Sequence, residues 1–285
     1  MGALALVAAL AACERAPVAP IGQPPTPVPA SPSAALVFSH VAPGIEATSF
    51  SEPAAPAFAG HAFIVDLTQV DVGVVRAKER KRVSELSARW PQHLAINASF
   101  FDPSGKAMGR VVDAGRIIAK ERLRQWGALV VDRHQASVLA GDALPADAAG
   151  GELVVQGVPR LVVDGVVPKL KAAAAERTAV CAEGPTLVLV VTTAPADASD
   201  FARLLARPRD RGGLGCTNAL NLDGGPSTQV NARLGGYQVA IDGGWGVPSA
   251  LVVVPRSASH PPIRFGPELA EASDGGPAVL PSTGP

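Results

Sequence analysis

The chain has 285 residues, 47% hydrophobic and 18% charged, which is enough apolar material for one sizeable core. Its 25 Lys and Arg balance its 25 Asp and Glu, so no net field draws it to nucleic acid or to anionic lipid. The local basic runs at 78–82 and 203–211 read as a solvated helix face and a basic loop, and no nucleic-acid partner is expected.

The first 13 residues, MGALALVAALAAC, are an apolar run ending in Leu10-Ala11-Ala12-Cys13. The run is too short to cross a bilayer and closes on small residues, as a secretory signal does. The Leu-Ala-Ala-Cys order resembles a bacterial lipobox, although no Lys or Arg precedes the apolar run. Residues 1–13 are therefore expected to be a lipoprotein-type signal, with Cys13 lipidated and the membrane a partner through that anchor. The location implied is the cell envelope, on the periplasm-facing side of an outer membrane. Residues 14–35 are Pro-rich and aperiodic, a semi-rigid tether. The tail over 256–285 has a similar bias towards Pro, Gly and Ser and is expected to be disordered. With Cys13 lipidated, Cys181 and Cys216 remain as an even pair in an oxidising compartment. A disulfide between them is expected, two buried free thiols being the other arrangement.

Between the tethers the pattern is strand-rich. FIVDLTQVDVGVV alternates Phe63, Val65 and Leu67, then Val70, Val72 and Val74, the period of half-buried strands. ERKRVSELSARW spaces Val83, Leu86 and Trp90 as one helical stripe. Short strands follow at 93–97, 116–119, 126–132, 152–156 and 159–165, bounded by Gly, Pro and Asp. TLVLVVTT is a continuous apolar run, as in a strand covered on both faces. DASDFARLLAR reads as a helix capped by Asp197 or Ser199, and NALNLDGG and PSALVVV as closing strands. Residues 36–255 are thus expected to be a single α+β domain with a mixed, strand-rich sheet and a few packing helices.

Metalloprotease, nucleophile-elbow, phosphate-loop and Cys/His metal motifs are absent from the sequence. Three stretches place polar groups where an apolar strand begins or ends, which is where sites tend to sit. LAINASFFDPSGKAMG holds Asn97, Phe101 and Asp102; ERTAVC holds Arg177; NALNLDGGPSTQV holds Asp223, Gly224, Gly225, Ser227 and Thr228.

AINASFFDPSGKAMG, RTAVC and ALNLDGGPSTQ, followed by GVPSALVVV, resemble in order the motifs of the phosphodiester glycosidase family. That family includes the lysosomal uncovering enzyme, which removes N-acetylglucosamine from a sugar phosphodiester. The resemblance spans roughly residues 60–255. Ala98 and Ser99 replace a usual Gly-Gly, Cys181 stands where Gly is common, and Pro226 often has Gly as its counterpart. The resemblance implies an exported hydrolase that cleaves a sugar-1-phosphate ester in a carbohydrate phosphodiester. Asp223 would be its carboxylate and Arg177 its phosphate clamp, because a guanidinium matches phosphate oxygens bidentately. Asn97 would orient sugar or water, and Asp102 would be a second carboxylate. Gly224, Gly225, Ser227, Thr228 and Phe101 would bind substrate. No cofactor is called for. The carboxylates are too few and too dispersed to assign a metal, and a divalent cation would use Asp223 with Asp102. The alternative is a non-catalytic envelope lipoprotein that binds glycan in the same pocket.

Overall fold

The computed structural model describes residues 35–54 and 56–256. Cys13, almost all of the tether and almost all of the tail lie outside those residues. The first half of the domain forms β1 (Ser39–Ala42), β2 (Ile45–Glu52), β3 (Phe58–Asp66), β4 (Val70–Lys81), the short helix α1 (Val83–Ser87), β5 (His93–Asn97), β6 (Val111–Asp113), β7 (Arg116–Ala119), β8 (Gly127–Asp132) and β9 (Gln135–Ala140). The second half adds β10 (Leu153–Gly157), β11 (Arg160–Val162), β12 (Ala174–Ala175), β13 (Thr178–Gly184), β14 (Thr186–Thr192), β15 (Ala196–Asp197), helix α2 (Ala198–Ala206), β16 (Ala219–Asn221), β17 (Val230–Leu234), β18 (Tyr237–Ile241) and β19 (Val247–Pro255).

The expected α+β class with a mixed sheet is corrected. Among the described residues strands take 49% and helices 10%, which makes the fold essentially all-β. Every ladder among the described residues is antiparallel. The reason lies in the connectors: many sequential strands are joined by tight hairpins, whereas parallel neighbours need crossovers of about a dozen residues or more. The helix at ERKRVSELSARW is also shorter than its stripe suggests. β4 runs on through Lys81, which pairs with Val247 of β19, and only Val83–Ser87 is left to wind.

The larger sheet runs β1-β2-β3-β14-β13-β9-β8-β10-β6-β7, with β16 bridging β13 and β11; the smaller runs β18-β17-β5-β19-β4. Period-two alternation sorts their side chains. Phe63, Val65, Val180, Leu187 and Leu189 of the larger sheet share one core with Leu94, Ile96, Leu251 and Val253 of the smaller. The opposite face of the larger sheet packs Val188, Val190 and Cys181 against Phe201, Leu204 and Leu205 of α2. On the outer face of the smaller sheet, Ala95, Ala250 and Val252 pack against Val83 and Leu86 of α1. Asp197 caps α2 by accepting the Ser199 amide at 2.9 Å.

Cys181 is joined by a disulfide to Cys216, in the loop after α2, across 35 residues. The bond ties β13 to the chain that returns as β16. Closing a loop of that length contributes about 3–4 kcal/mol by restricting the unfolded chain. The double variant C181A/C216A is accordingly expected to lose about 3–4 kcal/mol in urea denaturation, with its strand content by circular dichroism unchanged.

Candidate active site

The site is built where a strand end from each sheet meets. Asn97 ends β5 in the smaller sheet, and Thr178 begins β13 in the larger. The Asn97 side chain is fully buried and satisfied on both ends. Its Oδ1 accepts from the Thr178 hydroxyl at 2.7 Å and from the Gln229 amide at 3.0 Å. Its Nδ2 donates to the Asp223 carbonyl at 2.7 Å. Asn97 is therefore the joint between both sheets and the 222–229 turn. The Leu222 amide adds a bond to the Thr178 carbonyl at 2.9 Å.

Past β16 the chain makes the turn that carries the candidate carboxyl. Gly225 takes φ +58°, a left-handed conformation, and a Cβ on Gly224 would meet the Glu176 carbonyl at 2.8 Å. Glycine is thus favoured at 225 by its backbone and at 224 by close packing. The Asp223 carboxylate accepts from the Gly224 amide at 3.0 Å and from the Ser227 hydroxyl. Burial pushes the Asp223 pKa above its ordinary value, while the Ser227 hydroxyl and the Gly224 amide pull the other way by favouring the charged form. A carboxyl of this kind holds its proton closer to neutrality, as acid–base chemistry at mild pH requires.

The remaining predicted residues are placed as follows. Arg177 turns its guanidinium to the β12–β15 ribbon, where it donates to the carbonyls of Ala196 and Ala173, and it feels Asp197 nearby. Two of its donors thus hold backbone carbonyls of that ribbon. Asp102 heads a surface turn in which one carboxylate oxygen accepts from the Ser104 hydroxyl and from the amides of Ser104 and Lys106. Those bonds, the Ser104 hydroxyl first, hold its pKa below the usual range, so it serves its own loop. The Phe101 ring is covered by the Arg80 guanidinium, 5.6 Å from its centroid. The Gly225 amide donates to the Glu176 carbonyl at 2.7 Å, and the Gly224 amide serves Asp223. Neither points to an outside anion. Ser227 and Thr228 are both buried, and the Thr228 hydroxyl has no hydrogen-bond partner. Among the described residues no three His, Cys, Asp or Glu side chains gather as a metal site would need.

Two neighbours escape a motif reading. Gln229 is fully buried; its Oε1 accepts the Val83 amide at 2.9 Å and its Nε2 donates to the Trp245 carbonyl at 2.7 Å. The loop around Trp245 is latched to the turn, since the amides of Gly244 and Trp245 both donate to the Pro226 carbonyl, at 2.7 and 3.0 Å. Trp245 is nonetheless 56% exposed. An exposed indole on a fixed Gly-rich loop beside the turn gives a flat apolar face of the kind a sugar ring can cover. Its one signal in the sequence was the GGWG run at 243–246.

The sequence profile of the phosphodiester glycosidase family matches residues 92–254, which contain the whole of this site. No curated protein matches in sequence. Among solved structures, the zebrafish N-acetylglucosamine-1-phosphodiester alpha-N-acetylglucosaminidase catalytic domain, auto-inhibited by its pro-peptide, is similar with a TM-score of 0.60. The identity is 17%, over 78% of this chain and 89% of that one. A hypothetical protein from Synechocystis is similar with a TM-score of 0.56 at 15% identity, over 75% of this chain and 62% of that one. Both likenesses are of fold.

Two outcomes follow from the geometry. Asn97→Ala strands the Thr178 hydroxyl, the Gln229 amide and the Asp223 carbonyl in a buried place, and should cost about 3–5 kcal/mol in chemical denaturation. Ser227→Ala removes a bond that favours ionised Asp223, so the Asp223 titration, followed by carboxyl NMR, should move to higher pH.

Proposed function

The chain belongs to the phosphodiester glycosidase family, and from that premise we propose that it is an exported hydrolase of a glycosyl phosphodiester bond. The observation that carries the reading is Asp223: a half-buried carboxyl with a raised pKa, fixed at a sheet junction by Asn97 within the residues the family profile matches. In the reaction, water adds at the anomeric carbon and the bond from that carbon to the phosphate oxygen breaks. The electrons leave with a phosphomonoester. Phosphate is a good leaving group, so the protein's main task is a carboxylate at the sugar side that takes the proton from water or attacks the anomeric carbon. Asp223 fills that role. Asn97 acts as a positioning residue, since its amide bonds the Asp223 backbone. Trp245 offers its exposed face to the sugar.

Export and lipid attachment at Cys13 are part of the same proposal, with the cell envelope as the location. The Cys181–Cys216 disulfide supports an oxidising compartment. A second reading is favoured by one observation: Asp102, the expected second carboxylate, is engaged in its own surface turn. That reading is glycan binding without turnover. Purified protein on a panel of sugar-1-phosphodiesters separates the two. Release of free sugar is expected, with Asp223→Asn lowering kcat by about a thousandfold or more while melting at the same temperature. Sugar binding without release, unchanged in Asp223→Asn, would establish the binding module instead.

A further inference from the structure

Beside the candidate site lies a cavity of about 580 Å³ between β4, the loop after β5 and the end of β7. Its connection to the site is through the backbone. The Asp223 amide reaches the Ala98 carbonyl at 3.5 Å, and the next residue, Ser99, lines the cavity together with Ser249. Both serines are buried, and their hydroxyl oxygens are 2.8 Å apart. Ser249 Oγ also accepts the Ser99 amide at 3.3 Å. Either hydroxyl can donate in that contact, which leaves the other with a hydrogen for a ligand acceptor.

The charge of this cavity is one-sided. Arg76, Lys78, Lys106 and Lys120 line it, and Glu121 is the one carboxylate among the lining residues. None of the four cations takes part in an ion pair among the described residues, and the buried Arg76 Nε has no hydrogen-bond partner. Asp113 and Asp102 act on Arg76 and Lys106 from outside the lining. Their own bonds go elsewhere: Asp113 accepts the Val74 amide at 2.9 Å, and Asp102 serves its turn. Four cations against one carboxylate exceed what a single scissile phosphodiester, with its one negative charge, would call for. The volume is that of a site for a ligand of several groups rather than one phosphate. Three of the four cations are lysines, mobile point charges that suit a flexible anionic chain rather than one fixed oxyanion.

We infer that this cavity binds the leaving side of the substrate and selects a polyanionic aglycone, one that carries negative charge beyond the scissile phosphate. The inference rests on the glycosyl phosphodiester reading above and names the substrate class for it. The cavity holds the chain that departs, while Asp223 and Trp245 face the sugar.

The test compares two substrates with the same sugar-1-phosphodiester, one with a methyl aglycone and one whose aglycone bears a further phosphate. The second is expected to have a KM about tenfold lower at low ionic strength with an unchanged kcat, the gap closing as salt is added. Charge reversal at two exposed lysines, K78E/K106E, should abolish that preference and leave turnover of the methyl diester as it was. Equal KM values in the parent protein, or a preference that survives the reversal, would overturn the inference while leaving the hydrolase reading intact. Pyrophosphate binding by calorimetry gives a readout without turnover. If neither diester is cleaved, the hydrolase reading falls. Pyrophosphate binding that is lost in K78E/K106E then still supports a polyanion site, and unchanged binding overturns it. The neutral variant K78Q/K106Q should bind with intermediate affinity, which separates a charge effect from a folding defect.

Discussion

One buried amide holds the site of this protein together. Asn97 can satisfy three polar groups at once because it has both an acceptor and a donor, and the structure uses them on three different elements. Its oxygen joins the smaller sheet to the first residue of β13 and to Gln229, and its nitrogen grips the Asp223 backbone. In a core from which water is excluded each of those groups would otherwise stand unpaired. No other side chain of that size offers the same set: Asp lacks the donor, and Leu lacks both. The position of the turn is therefore set by the meeting of two sheets, and the site is as rigid as their shared core.

The electrostatics of Asp223 follow from that placement. A carboxyl on a free surface turn would stay near its ordinary pKa. Here the turn is drawn in against Ala98 and Thr178, and burial disfavours the charge. Ser227 and Gly224 then return part of the stabilisation, so the group is neither a freely ionised surface acid nor a permanently neutral one. The second half of the turn is stiffened from outside by the loop carrying Trp245, which hangs from the Pro226 carbonyl. Pro226, a departure from the family pattern, is thus the residue whose carbonyl anchors an aromatic at the rim.

Charge in this molecule is divided between structure and ligand in a way that residue type does not reveal. Arg177 is a cation in a family motif, yet its donors hold two backbone carbonyls in a short ribbon. Lys78 and Lys106 belong to ordinary-looking polar stretches, yet they converge with Arg76 and Lys120 on one cavity. The difference is whether a cation already has acceptors of its own.

Much was legible in the sequence for physical reasons. Period-two alternation in FIVDLTQ and the continuous run TLVLVV marked real strands, because side-chain sorting between two faces leaves that trace in any chain. His93–Asn97 and Arg116–Ala119 have the boundaries read from their flanking turn residues. The Gly-Gly pair after Asp223 announced a bend, since glycine is favoured at the φ of +58° that Gly225 takes and a Cβ on Gly224 would crowd the Glu176 carbonyl. The sheet class was misjudged because hairpin connections are not visible in strand patterns, and at ERKRVSELSARW the first residues continue β4 through Lys81, so the helix spans only Val83–Ser87. The sequence alone thus determined the strand-rich core, the three polar strand ends and the turn at 223–225, all of which are local in the chain. Only the tertiary structure decided that the sheets are antiparallel throughout, that Arg177 and Asp102 serve their own loops, and that four distant cations share a cavity. Those outcomes depend on which distant backbone groups arrive within hydrogen-bonding reach, and no local pattern records that.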